Sequence, residues 1–282
     1  MRLTASAYSF EVLPLEACLS IVHHMGFKSV DLSGFHARGR ASIEPEAITA
    51  KPEREADTVR ALLDKYELHA GDFFPQFGTS PDQHSLNDPD PAVRERCFAL
   101  IRGCAEFCKL LHIPGMTILP GVDHLSRKHE ENLAISGQGL KRATEIAGEY
   151  GVEIRFEPHM GSVANTPELA LRLVNEFAPA AKFALDYSHF TLQYIALERI
   201  HAMIPHTGHV HIRPSRMGKL QTRWAENTIP WGDIIDRLRA ANYAGVLSLE
   251  YVYADWFDLN QIDTLSETWA AKEALLPLVG AV

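Results

Sequence analysis

Two short apolar runs end in residues able to carry a proton or hold a cation: Phe156-Glu157-Pro158-His159 and Leu185-Asp186-Tyr187-Ser188-His189. Each is bounded by turn residues and reads as a buried strand with its polar residues gathered at the carboxyl end. Two later pieces have the same character, His209-Val210-His211-Ile212-Arg213 and Leu247-Ser248-Leu249-Glu250-Tyr251. Parallel α/β proteins keep their chemistry at the carboxyl ends of strands. Carboxylates and imidazoles gathered there suit proton transfer or a hard metal ion.

Strand-like and helix-like segments alternate along the whole chain. Strands are expected at Leu3 to Phe10, Ser29 to Phe35, Leu68 to Phe74 and Gly115 to Leu119, then at the runs ending near Phe156 and Asp186, at Gly208 to Arg213 and at Gly245 to Tyr253. Helices are expected from Pro14 to Met25, Glu53 to Tyr66, Asp90-Pro91 to Leu111, Ser126 to Tyr150, Thr166-Pro167-Glu168 onward, near Glu198, Trp231 to Ala241 and Asp258 to Leu278. Asp90-Pro91 pairs an N-cap with proline at the first helical position. Eight strand-plus-helix units fit one α/β domain, a single (β/α)₈ TIM barrel over residues 1–282. A doubly wound sheet would need a Gly-rich phosphate-binding turn after its first strand, and none is present. In a barrel, strand ends far apart in sequence converge on one face, so these polar residues can meet without sharing a helix.

The pattern resembles the xylose-isomerase-like TIM-barrel superfamily, the sugar phosphate isomerase/epimerase and AP endonuclease family 2 type. It includes sugar isomerases, ketose 3-epimerases, inosose dehydratases and the endonuclease IV group. The resemblance implies a metal held by Glu157, Asp186, His211 and Glu250. Three carboxylates and an imidazole suit one divalent ion, Mn²⁺ or Mg²⁺ before Co²⁺ or Zn²⁺. His209 lies on the same face of its strand as His211, and the family pattern favours His211, the one nearer the loop. By the same resemblance Glu157 and Glu250 are the catalytic pair, and His189 contacts substrate or a second metal. His159 is a further proton carrier or a cap of the following loop, and Arg213 sits just outside the metal shell.

Departures from the family narrow the reading. The endonuclease IV group carries His-Pro-Gly after strand four and more metal ligands beyond strand seven. This chain has Leu119-Pro120-Gly121, and no histidine in Gln221 to Glu226, so a three-metal nuclease is not expected. The epimerases place a substrate arginine six residues after the metal histidine, whereas here the arginines are Arg213 and Arg216. The implied reaction is that of an isomerase or epimerase: proton abstraction beside a carbonyl through a metal-stabilised enediolate. The runner-up is a lyase or dehydratase acting on a keto-sugar or inosose, including elimination from 3-keto-glycosides, with His159 as the acid. From another class, a non-catalytic sugar-binding barrel or partner subunit is also carried. Aromatic side chains expected near the mouth include Tyr8, Phe10, Phe35, Phe73, Phe74, Trp224 and Tyr253; substrate contacts are expected from His189, Arg213, Arg216, Trp224 and Phe10.

Composition describes an ordinary soluble globular chain with ample core. The chain is 46% hydrophobic and 22% charged with a formal charge of -9, which argues against nucleic acid as partner. The segment from Arg213 to Arg223 is the one candidate basic patch, sized for a small anionic or polyol ligand. No apolar run is long enough to span a bilayer and no secretory signal pattern is evident, so a cytoplasmic protein without membrane association is expected. Cys18, Cys97, Cys104 and Cys108 are expected as buried thiols. Trp269, Leu275 and Leu276 permit a homo-oligomer.

Overall fold

Each apolar run forms a strand, and pairing in chain order brings all their carboxyl ends to one side. A computed structural model describes residues 1–282. Its strands are β1 (Arg2–Ser6), β2 (Ser29–Phe35), β3 (His69–Gln76), β4 (Gly115–Ile118), β5 (Glu153–Phe156), β6 (Lys182–Asp186), β7 (Thr207–Ile212) and β8 (Val246–Leu249). All pair in parallel, β8 with β1 as well, closing an eight-stranded barrel flanked by helices. The main apolar cluster fills the space between strands and helices. A smaller one of Tyr8, Phe35, Leu220, Val252 and Leu259 lies apart from it.

Several helix starts follow from local chemistry. Asp90 accepts a hydrogen bond from Ala92 N at 2.8 Å ahead of Pro91, and Thr166 Oγ1 accepts one from Leu169 N at 3.4 Å ahead of Pro167. These side chains satisfy donors that the first helical turn leaves open. All four cysteines are free and buried. No helix is long and apolar enough to cross a membrane.

The largest departures from the expected bounds are in three elements. β1 stops at Ser6, whose hydroxyl accepts from Tyr8 N and turns residues 7–10 into a 3₁₀ turn. β8 stops at Leu249 because the next amides bond to side chains, Tyr251 N to Ser9 Oγ at 3.0 Å and Val252 N to Gln221 Oε1 at 2.8 Å. The last helix begins at Thr264, capped by Asp263, and a separate 3₁₀ segment spans Trp256–Gln261. An additional short helix, Pro45–Ala50, stands in the connection after β2.

The barrel interior is charged. Arg155 on β5 bridges Asp72 on β3 (2.9 Å) and Glu153 (3.0 Å), and His209 Nε2 meets Asp31 of β2 at 2.8 Å. The Arg155 side chain fits because it lies over Gly115 of β4, where a Cβ would be 2.3 Å from the guanidinium carbon. Buried ions of this kind must be paired.

Candidate active site

The four expected ligands sit at or just beyond the ends of β5, β6, β7 and β8, all buried: Glu157 at 5%, Asp186 at 0%, His211 at 2% and Glu250 at 2% exposure. His211 Nδ1 lies 2.7 Å from Glu157 Oε1 and 3.6 Å from Glu250 Oε2. Asp186 uses Oδ1 to cap the short helix Tyr187–Thr191 through Ser188 N at 2.8 Å, leaving Oδ2 without a hydrogen-bond partner. His189, one turn into that helix, points Nε2 back at Asp186 Oδ2 (3.8 Å) and Glu157 Oε2 (3.9 Å).

The donors form two triads that share Glu157: Glu157, His211 and Glu250 in one, Glu157, Asp186 and His189 in the other, with donor atoms of each within 4.8 Å of one another. Arg213 stands between the halves. Its guanidinium donates to Glu250 Oε2, and Nη2 is 3.4 Å from Asp186 Oδ2. His209 points away toward Asp31, so the two histidines of β7 have separate partners.

Charge follows from this packing. Burial alone would lower the His211 pKa, but Glu250, the Glu157 hydrogen bond and Asp186 together raise it to about 10. Burial pushes Asp186 up against the pull of Arg213. It pushes Glu157 up against the pull of His211. Crowded buried carboxylates, an orphaned oxygen on Asp186 and one imidazole fit a hard divalent cation. Arg213 supplies part of that positive charge itself. Replacing Arg213 by Met is therefore expected to tighten Mn²⁺ binding roughly tenfold, through lost like-charge repulsion. Calorimetric titration of the apo-protein checks this; unchanged or weaker binding contradicts it.

A family model described as xylose isomerase-like TIM barrel matches residues 19–274. The chain belongs to that family. No curated protein sequence matches it. Among solved structures, this xylose isomerase-like barrel is similar to D-psicose 3-epimerase crystallised with D-fructose, with a TM-score of 0.76, 16% identity and 100% of both chains covered. It is similar to the IolI protein with a bound zinc atom, with a TM-score of 0.74, 18% identity and coverage of 99% of this chain and 98% of that one. The 3-keto-D-glucoside 4-epimerase of E. coli gives a TM-score of 0.69 at 15% identity over 96% of this chain and 99% of that one. At these identities the likeness concerns the fold.

Above these candidate residues of the xylose isomerase-like barrel a cavity is lined by Tyr8, Phe35, Phe74, His159, His189 and Arg213, among others. Phe74 stacks near His211, with ring centroids 6.0 Å apart. His159 donates through Nδ1–H to Met160 O (2.8 Å), and its Nε2 has no partner. Three residues expected to contact substrate are not brought here. Phe10 packs in the main core, and Trp224 lies in a 3₁₀ turn whose amide bonds to Glu267. Arg216 is exposed in a tight hairpin with Lys219. The expected basic patch is not assembled either, since Arg213 is buried and turned inward. Sequence reading missed Arg38 and Trp256, which line the mouth from the loops after β2 and β8. The one signal was an aromatic pair, Trp256-Phe257, shortly after Glu250.

Burial lowers the His159 pKa from its ordinary 6.5 to about 4. As pH falls, the unfolded chain takes this proton first, so His159's contribution to stability is whole above pH 6.5 and is lost as pH drops toward 4. His159→Asn is expected to recover up to about 3 kcal/mol of the stability that the parent loses over that interval. Urea midpoints of both proteins at neutral and acid pH measure the difference; parallel losses contradict it.

Proposed function

We propose that the protein is a divalent-metal-dependent isomerase or epimerase that moves a carbon-bound proton beside the carbonyl of a sugar or sugar-like ketone. One observation carries this reading: two buried glutamates from different strands, Glu157 and Glu250, approach the same nitrogen of His211 at 2.7 and 3.6 Å. Glu157, His211 and Glu250, with Asp186, would hold the ion. A divalent cation bound there supplies Lewis acidity, which makes the proton between a carbonyl and an adjacent hydroxyl easier to remove.

The side chains then divide the work. Glu157 takes a proton from one face of the carbon, and its burial favours this by raising its affinity for a proton. Glu250 returns a proton on the other face. Arg213, donating to Glu250 and lining the cavity, is placed to offset negative charge as it develops on a substrate oxygen. His159 offers an unpartnered nitrogen to a substrate hydroxyl. Likeness to a D-psicose 3-epimerase and a 3-keto-D-glucoside 4-epimerase supports a ketone of the sugar class. The zinc-bearing IolI protein supports a bound cation, and the hardness of the donors argues for Mn²⁺ or Mg²⁺ in this chain.

A lyase is the second reading, since His159 faces the cavity where a leaving group could be protonated. The likeness to a probable 3-DHS dehydratase supports it. It ranks lower because burial keeps the His159 imidazole neutral near pH 7, so it begins as an acceptor and not as an acid. Incubation of Mn²⁺-loaded protein with ketoses, inososes and 3-keto-glycosides, with product detection by NMR, separates the two. A new isomer that disappears on chelation supports the first reading. Loss of water or an aglycone supports the second, and no conversion of any compound with either Mn²⁺ or Mg²⁺ rejects both.

A further inference from the structure

The cavity over the ligands continues outward into a larger one of about 720 Å³. Arg38, His159, His189 and Trp256 line both. That volume lies in the upper part of the roughly 300–1,000 Å³ range of sites that enclose drug-sized ligands. A single sugar ring, seated on the carboxylates, leaves this outer space unfilled. Beyond the residues it shares with the inner cavity, its lining adds apolar Val122, Met160 and Phe257 and polar Thr79, Ser80 and Asp82.

Two features mark the Trp256 side as built for contact. Trp256 and Phe257 are 42% and 51% exposed although both are large and apolar. Phe257 and the next residue, Asp258, both adopt left-handed backbone conformations, with φ of 53° and 57°. Non-glycine residues pay of order 1 kcal/mol or more for such a conformation, and two in succession persist only where surrounding bonds hold them. Asn260 provides those bonds, through its amide to Ala254 O at 2.9 Å and its side chain to Asp255 Oδ1 at 2.9 Å. Across the opening, the Arg38 guanidinium lies 5.7 Å from the Tyr8 ring and 6.0 Å from the Trp256 ring, so that the three make one continuous surface of π and cation character.

We propose that this outer cavity is a subsite for a flat, apolar substituent on the sugar, such as the aromatic aglycone of a keto-glycoside, stacked on Trp256 and Arg38. The inference rests on the sugar-ketone reading of the inner site and narrows its substrate class to glycosides over free monosaccharides. The aglycone leaves the reacting carbons at the carboxylates and projects through the mouth.

The test uses glycosides that lack the keto group and so cannot react by proton removal. The metal-loaded full chain is titrated calorimetrically with 4-nitrophenyl β-D-glucopyranoside and with methyl β-D-glucopyranoside. The aryl glycoside is expected to bind about tenfold more tightly. Trp256→Ala and Arg38→Met are each expected to remove most of that preference, read as the ratio of the two affinities within each variant. Equal binding of the two glycosides, absence of binding for both up to roughly 10 mM, or a preference untouched by Trp256→Ala would each overturn the subsite. So would a shift in oligomeric state of Trp256→Ala by light scattering with no change in glycoside binding, since the aromatic rim would then serve a second copy of the chain. Proton exchange on free ketoses reads the inner site separately: exchange without aryl preference removes the subsite alone, and aryl preference without exchange removes the isomerase reading alone.

Discussion

Glu157→Gln and Glu250→Gln are each expected to lower turnover by about 10²–10⁴-fold, the usual worth of a positioned acid or base. The amide keeps the size and the hydrogen-bonding reach of the carboxylate but cannot take up the substrate proton. Because both groups also belong to the triad proposed to hold the ion, the measurement has to separate two losses. Turnover is therefore followed by NMR at rising Mn²⁺, alongside calorimetric Mn²⁺ affinity. A deficit that persists at saturating ion is the loss of a proton carrier. Asp186→Asn serves as the contrast: its Oδ1 caps a helix and its Oδ2 faces the ligands, so its main expected effect is weaker binding of the ion, largely recovered at high Mn²⁺. An active variant carrying both Gln substitutions contradicts the mechanism.

The second large effect is on stability. Arg155→Met is expected to cost about 3–5 kcal/mol, because it leaves Asp72 charged and unpaired inside the barrel. Asp72 is 1% exposed, and burial already pushes its pKa up against the stabilising charges of His209 and Arg155. Such a loss is a large share of the roughly 5–15 kcal/mol that holds a domain together. A lower urea midpoint at unchanged slope measures it. Adding Asp72→Leu is expected to restore much of the loss, since replacing both members of a buried ion pair is commonly close to neutral. A single variant as stable as the parent, or a double variant no better than the single, would show that Arg155 and Asp72 are not coupled in this way.

The fold was legible because short segments carrying apolar residues, each bounded by turn residues, recur between helical patterns along the whole chain. β2 was placed at Ser29 to Phe35 and β4 within one residue of its end for that reason. Strand ends were harder to place where a hydroxyl or amide side chain, Ser6, Ser9 or Gln221, takes over a backbone amide, because strand periodicity does not report side-chain partners, and Ser9 and Gln221 are distant in sequence from the amides they accept from. The polar residues at the ends of β5 to β8 were legible for the complementary reason, that a carboxylate closing an apolar strand is conspicuous. Their partition was not. The division into two triads depends on Asp186 capping its own helix and on Arg213 turning inward, which are matters of side-chain direction. Phe10, Trp224 and Arg216 follow strand ends in sequence yet lie elsewhere in the fold, while Arg38 and Trp256 sit on irregular loops where neither helical nor strand periodicity applies.

The central claim is that a carbon-bound proton passes through glutamate side chains. Solvent isotope incorporation reads it most directly: Mn²⁺-loaded protein in deuterated water is given a panel of ketoses and keto-glycosides, and each carbon is followed by NMR. The account predicts deuterium at the single carbon beside the carbonyl, appearing with product and abolished by chelation and by Glu157→Gln. Product that forms with its carbon-bound hydrogen retained would contradict it, as would deuterium uptake that survives loss of both glutamates.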